Sequence, residues 1–113
     1  MLAKANRVVS AGDYKSAVRK GRRRTAPTVV LYVRDRGDAG AVRFGFIVAK
    51  TVGNAVTRNL IRRRLKNVAS DHLEKVPAGA DIVIRALPAA SQVPWSTLRG
   101  QVADALTKGG IRG

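Results

Sequence analysis

The sequence predicts a single α+β domain in which helices pack against one β-sheet. Two segments of alternating apolar residues, Thr28–Arg34 and Val42–Lys50, flank a turn rich in Gly and Asp, a pattern typical of a β-hairpin. A long helical pattern from Asn54 to about Lys75 leads to a third apolar strand, Asp81–Leu87, so a strand–helix–strand crossover is expected. The 113 residues show no linker or repeat, which indicates one core.

The first helix is predicted to begin after Ser10 and to end at Gly21. Ser10 is a favourable N-cap residue, and Asp13 stands at the third helical position, where a capping box places its acidic side chain. The segments Met1–Val9 and Gly109–Gly113 are predicted to be flexible.

Alternation along the first two strands predicts a buried face and an open face of the sheet. These strands are expected to be antiparallel neighbours. The face expected beneath the helices carries Val29, Leu31, Val33, Phe44, Phe46 and Val48. The opposite face is expected to be shallow and partly open, and it carries Val30, Tyr32, Arg34, Arg43 and Gly45.

The long helix has a basic face and an apolar face. At about 100° per residue, five polar side chains fall within an arc of about 140°. They are Arg58, Asn59, Arg62, Arg63 and Lys66. The opposite face carries Ile61, Leu65, Val68 and His72, so the only histidine is predicted to pack rather than to act as a general base. A solvated basic face is the ordinary explanation of such a pattern, and an anion-binding face is the alternative.

The last helix is predicted to open at Pro94 and to end near Gly109. Its apolar residues recur at intervals of three and four, at Trp95, Leu98, Val102 and Leu106. Trp95 is therefore interpreted as a core or docking residue rather than as a platform for base stacking.

The composition points to a polyanionic partner. The chain has 22 Lys and Arg residues against 7 Asp and Glu residues, which gives a formal charge of +15. Such self-repulsion destabilises a compact monomer unless a partner offsets it, and nucleic acid is the favoured partner. An anionic membrane surface is the competing partner, although the sequence has no long apolar run. The absence of cysteine and of an apolar signal segment favours a cytosolic setting.

The residues offer no convincing catalytic centre. There is no thiol nucleophile and no G-x-x-x-x-G-K-[ST] loop, and the acids are scattered except for Asp35 and Asp38, which share a turn. A metal-dependent nuclease that acts alone needs clustered acids. The sequence therefore favours an RNA- or DNA-binding domain.

Four segments of the chain form a recognisable pattern: NRVVSAGDYKSAVRKG (Asn6–Gly21), RFGFIVAK (Arg43–Lys50), TVGNAVTRN (Thr51–Asn59) and IRRRLK (Ile61–Lys66). Together they resemble the protein subunit of bacterial ribonuclease P. The resemblance implies an α-β-β-β-α-β-α sandwich of the ribosomal protein S5 domain 2 type. It also implies a short extra strand near Arg22–Ala26 and a left-handed crossover through the long helix.

The resemblance further implies that the catalyst is an RNA, which uses bound Mg2+ to remove the 5′ leader of precursor tRNA. The protein then has no active site of its own, and one protein is expected per RNA. Residues expected to contact the catalytic RNA are Asn54, Arg58, Asn59, Arg62, Arg63, Arg64 and Lys66, reinforced by Arg22, Arg23, Arg24, Lys4 and Arg7. Residues expected to form the leader-binding cleft are Tyr14, Val18, Val30, Tyr32, Ile47, Ala49 and Lys50.

The chain departs from the family pattern at three positions. Leu60 stands where the family's motif usually has a second arginine, so that RNA contact is absent or falls to Arg64. Val18 replaces a usual aromatic residue, which leaves Tyr14 and Tyr32 as stacking candidates, and Thr51 replaces a common lysine. A ribosomal or general RNA-chaperone protein is the alternative function.

Overall fold

Seven helices and strands, joined in places by short 3-10 turns, follow one another in residues 2–107, the part of the chain that the computed structural model describes. They are α1 (Ala11–Lys20), β1 (Arg22–Thr25), β2 (Val29–Asp35), β3 (Arg43–Ile47), α2 (Ala55–Asp71), β4 (Ala80–Ala86) and α3 (Trp95–Thr107). This order confirms the arrangement that the resemblance implies, including the short strand β1. The tail Gly109–Gly113 lies outside the described residues.

The strand order of the sheet is β1-β2-β4-β3. Because β4 pairs antiparallel with β2 and parallel with β3, the predicted hairpin between β2 and β3 is wrong. β4 takes the place between them because it is apolar on both faces: Ile82 and Ile84 are fully buried on one face and Val83 on the other. The parallel pairing of β3 with β4 confirms the predicted strand–helix–strand crossover through α2.

The turn after β2 is bonded to the loop before β4. The Arg36 N–H donates to the Gly79 carbonyl at 2.9 Å, and the Gly79 N–H donates to the Gly40 carbonyl at 2.7 Å. Gly79 has φ = +78°, and a Cβ atom there would lie 2.1 Å from the Asp38 carbonyl oxygen. Only glycine fits this close approach of the two loops.

Helix α2 begins at its predicted cap and ends earlier than predicted. The Asn54 side-chain oxygen accepts the Thr57 N–H at 2.9 Å. The α-helix stops at Asp71 rather than near Lys75, and residues 73–75 form a 3-10 turn. His72 is buried at this point, and its Nδ1 donates to the Val68 carbonyl at 2.8 Å, which confirms the packed position predicted for it.

One face of the sheet and helices α2 and α3 form the main core, as predicted. Leu31 on β2, Phe44 on β3, Leu65 on α2 and Leu98 on α3 are fully buried together. Trp95 is partly buried against this core, as a docking residue.

The other face of the sheet is covered by α1 and is less open than predicted. Val30 and Tyr32 are only 5% and 7% exposed, beneath Ala17. The Tyr14 ring lies on Gly45, where a Cβ atom would be 2.5 Å from Cε1 of that ring. The expectation of a shallow open face is therefore wrong for this part of the sheet.

The segment before α1 is part of the fold, although the sequence predicts it to be loosely held. Leu2 and Val8 are buried, and the Val8 N–H donates to the Phe44 carbonyl at 2.9 Å. The Asn6 side-chain amide donates to the Val42 carbonyl at 2.8 Å. Residues 2–8 thus cover the outer edge of β3, which would otherwise be open to pairing with another chain.

A buried carboxylate joins three strands and α1. Asp81 is 0% exposed on β4, directly opposite Arg34 on β2 and Arg43 on β3. Its two oxygens accept from Nε and Nη2 of Arg43 at 2.7 and 2.8 Å, and one also accepts from Arg36 at 2.7 Å. From α1, Asp13 lies 3.4 Å from Arg43 and 3.7 Å from Arg34.

The arginines keep Asp81 ionised despite its burial. Burial raises the pKa of this carboxyl, but the hydrogen bonds and charges of Arg43 and Arg36 lower it by more, so the net shift is downward from 3.8. A group with a lowered pKa in the folded state stabilises the fold above its unfolded pKa, and this contribution is lost as the pH falls through the folded pKa.

We predict that Asp81→Asn lowers the free energy of unfolding by about 3–5 kcal/mol, because it leaves partly buried guanidinium groups without their carboxylate. Urea denaturation at neutral pH measures the change. The control is Asp71→Asn, which removes an exposed carboxylate 3.0 Å from Arg99. That pair should contribute about 0–1 kcal/mol.

The stability of the wild-type protein and that of the Asp81→Asn variant should also depend differently on pH. Wild-type protein should lose stability as the pH falls below 3.8, and the Asp81→Asn variant should lose less over that range. Equal losses for Asp81→Asn and Asp71→Asn at neutral pH would contradict the central role of Asp81.

We also predict that Gly79→Ala lowers the free energy of unfolding by about 2–4 kcal/mol, from backbone strain and the displaced Asp38 carbonyl. Gly100→Ala is the matched control. Gly100 lies in α3, and a Cβ atom at this position would have no neighbour within 4 Å, so alanine should stabilise the helix by about 0.5–1 kcal/mol. Thermal or urea unfolding measures the stability of both variants. Destabilisation of similar size in the two would contradict the requirement for glycine where the turn after β2 meets the loop before β4.

Candidate nucleic-acid interface

The predicted basic face of α2 and the N-terminal segment together form a cationic recess of about 450 Å³. We call the whole surface, including the N-terminal residues that line the recess, the α2 basic face. The lining residues are Leu2, Arg7, Asn59, Arg62, Arg63, Lys66 and Asn67. Because four cations and, among the described residues 2–107, no acid line the recess, it suits a phosphate group.

Two contacts fix the recess. The Arg7 guanidinium donates through Nε and Nη2 to the Leu2 carbonyl at 3.2 and 2.8 Å. Arg62 Nη1 donates to the Asn59 side-chain oxygen at 3.2 Å. The structure therefore brings Arg7 to the α2 basic face, where Arg7 is predicted to reinforce the contact with RNA.

Two other predicted residues of α2 occupy different surroundings. Arg58 is half-buried, and within residues 2–107 its Nε has no hydrogen-bond partner. Arg64 lies over Trp95, with Cζ 5.4 Å from the ring centroid, in a cation–π contact that joins α2 to α3. Arg64 thus belongs to the α3 side of the helix and not to the recess.

The three consecutive arginines of β1 lie at the opposite edge of the sheet. β1 pairs with β2, whereas the recess lies beside β3. Arg23 and Arg24 line a separate cavity of about 510 Å³ between β1 and α3. Gln101 and Asp104 of α3 line the same cavity. The structure does not bring these arginines to the α2 basic face.

The predicted cleft residues share the sheet face that α1 covers, but their exposure differs. We call this region the α1 cleft. Tyr14, Val18 and Ile47 are half-buried around Val30 and Tyr32, and Ala49 and Lys50 are exposed beyond the end of β3. Tyr32 is only 7% exposed, so it is a packing residue rather than a stacking platform in this conformation.

Tyr14 is held in place at the edge of the α1 cleft. The Phe46 N–H donates to its hydroxyl oxygen at 3.2 Å. A small cavity of about 210 Å³ lies beside it, lined in part by Phe46, Arg62 and Lys66. This cavity therefore places Tyr14, at the edge of the α1 cleft, beside Arg62 and Lys66 of the α2 basic face, which the sequence pattern does not reveal.

This fold and these surfaces define a small, basic α+β protein of the nucleic-acid-binding class. In the portion from residue 2 to residue 107, no helix has both the length and the apolar character needed to cross a bilayer. A match to the family described as Ribonuclease P covers residues 2–110. The chain therefore belongs to the ribonuclease P protein family.

Individual relatives agree with this assignment. The ribonuclease P protein component of Clavibacter michiganensis subsp. michiganensis is 51% identical over 96% of both chains. That of Pseudarthrobacter chlorophenolicus is 43% identical over 88% of this chain and 73% of its own length. The structure of the Staphylococcus aureus RNase P protein superposes with a TM-score of 0.84 at 26% identity, covering 91% of this chain and 94% of that one.

Proposed function

We propose that the chain is the protein component that docks on the catalytic RNA of ribonuclease P and holds the 5′ leader of precursor tRNA. The observation that carries this proposal is that Arg62 and Lys66 line both the recess on α2 and the cavity beside Tyr14 of the α1 cleft. An RNA bound on the helix lies next to a groove suited to a single strand. The leader and the catalytic RNA can then be held side by side.

Docking is mainly electrostatic. Arg7, Arg62, Arg63 and Lys66 present their charges around one recess, and each phosphate that they neutralise releases counterions. Because these cations neutralise phosphate charge that Mg2+ would otherwise neutralise, less Mg2+ is needed to fold the complex and to bind substrate. Fixing the leader places the scissile phosphate in the active site of the RNA.

We assign the cleavage chemistry to the RNA and to Mg2+ held mainly by that RNA. Three carboxylates of this chain are engaged with arginines instead: Asp81 lies 2.7 Å from Arg36, Asp38 lies 3.1 Å from Arg36, and Asp71 lies 3.0 Å from Arg99. We propose one protein per RNA in the core complex, located in the cytoplasm.

We predict that Arg62→Ala/Arg63→Ala weakens binding to the cognate RNA at least about tenfold, because it removes two guanidinium groups that face phosphate. Cleavage of precursor tRNA at limiting Mg2+ should then show little stimulation by the protein. The slope of log K against log[salt] should decrease by about 0.9 for each duplex phosphate that the variant no longer neutralises.

The control is Lys75→Ala/Arg99→Ala, which removes the same charge from exposed positions outside both surfaces. It should retain stimulation and most of the salt dependence. Stimulation by Arg62→Ala/Arg63→Ala equal to that by this control would show that the α2 basic face does not dock on the RNA.

We predict that Tyr14→Ala weakens binding of a long-leader substrate by about 5- to 150-fold, because a base stacked on an aromatic ring contributes about 1–3 kcal/mol. Leaderless tRNA should bind the holoenzyme as before. Tyr14→Phe is the control, since it keeps the ring and removes the hydroxyl that accepts from Phe46. Equal weakening for both substrates, in protein shown to be folded by circular dichroism, would contradict a leader contact at Tyr14.

A further inference from the structure

Helix α1 leaves one end of the sheet uncovered. Tyr14 near its start lies on Gly45 of β3, and a Cβ atom on Gly21 at its end would meet the Val33 carbonyl of β2 at 3.0 Å. Helix α1 therefore crosses the sheet from Gly45 to Val33. On one side of the helix the sheet continues to Ile47 and Leu87, which are half-buried, and to Ala49 and Lys50, which are exposed. We call this region the open end of the sheet.

Arg85 lies at the centre of the open end. It is on β4, the strand between β2 and β3, and it stands directly opposite Val30 on one side and Ile47 on the other. Residues directly opposite in neighbouring strands project from the same face, so Arg85 shares the face of the α1 cleft. Its side chain is exposed, whereas Val30 beside it is buried.

The other arginines on this face of β2 and β3 form ion pairs with aspartates. Arg34 and Arg43 stand opposite Asp81 and also face Asp13 of α1. Arg85 is four residues from Asp81 along β4, or about 13 Å. Within residues 2–107 it has no ion pair or hydrogen bond through its side chain, so its guanidinium is free to bind a ligand.

The chemistry of this position suits single-stranded RNA. A guanidinium group binds phosphate oxygens in a bidentate manner and stacks on base faces. The apolar surface of Ile47 lies on one side of Arg85, and exposed Lys50 offers a second cation beyond the end of β3. Surfaces that bind single strands follow the phosphate backbone with positive charges, and Arg85 and Lys50 supply two such charges at the open end.

We propose that Arg85 is a further RNA-binding residue, which contacts the leader of precursor tRNA where it crosses the open end of the sheet. This inference rests on the leader-binding function proposed above. It places the strand over Ile47, Arg85 and Lys50 rather than over Tyr32, which α1 covers. The signal in the sequence is an arginine within the otherwise apolar segment DIVIRAL.

The test uses the reconstituted holoenzyme and compares Arg85→Gln and Arg85→Lys with Arg99→Gln. Each glutamine variant removes one positive charge, and Arg99 lies on α3, away from this face. The dissociation constants of a long-leader precursor tRNA and of leaderless tRNA are measured at several salt concentrations. Thermal melting checks that the variants are folded, since an exposed substitution should change stability little.

We expect Arg85→Gln to weaken long-leader binding about 5- to 30-fold and to leave leaderless tRNA unchanged. Its salt slope for the long-leader substrate should decrease by about 0.7, the value for one single-strand phosphate. Arg85→Lys should recover part of the affinity. Long-leader binding by Arg85→Gln equal to that by Arg99→Gln would overturn the assignment of Arg85 and leave the proposed function intact. If wild-type holoenzyme does not distinguish the two substrates, the leader-binding function itself fails, and this inference fails with it.

Discussion

The packing of the sheet against α1 depends on one buried carboxylate held between arginines. Asp81 is 0% exposed on β4, an inner strand of the sheet, and is flanked by Arg34 and Arg43 on the strands at either side. An ionised group in this position costs several kcal/mol of desolvation unless its neighbours neutralise it. A one-residue slip of β4 would turn Asp81 toward the main core, so the ion cluster constrains the register of β2, β3 and β4 together. Asp13 extends the same constraint to α1 and so sets the position of the α1 cleft.

The cluster also separates charge within the molecule. The chain has only 7 acidic residues at a net charge of +15, and Asp13, Asp38 and Asp81 are gathered with arginines at one end of the sheet. Among residues 2–107, no acid lines the recess of the α2 basic face, and none pairs with Arg85 at the open end of the sheet. Positive potential is therefore concentrated where a polyanion can reach it, while the arginines that stabilise the fold are neutralised by acids.

Local patterns predict the elements and their buried faces, but not the neighbours of each strand. The cap at Ser10, confirmed by its hydrogen bond with Asp13, depends on residues close in sequence, and so does the basic face of α2. The place of β4 between β2 and β3 depends on pairing across tens of residues. For the same reason no local pattern places the run Arg22–Arg24 relative to α2. The cleft residues follow from the family resemblance, and the burial of Tyr32 depends on where α1 packs, which residues close in sequence do not encode.

Helix α2 tolerates its density of positive charge because packing outweighs repulsion. Arg58 and Arg62, and then Arg62 and Lys66, are like charges four residues apart, and each such pair costs about 0.2–0.5 kcal/mol. Against this, Ile61 and Leu65 are almost completely buried, and each contributes about 1.5–3 kcal/mol. The apolar face therefore determines whether the helix forms, and the basic face is left free to be shaped for binding. In the proposed docking, a phosphate backbone on that face would turn the small repulsion within the free protein into attraction across the interface, so the charges that weaken the helix slightly would strengthen the complex.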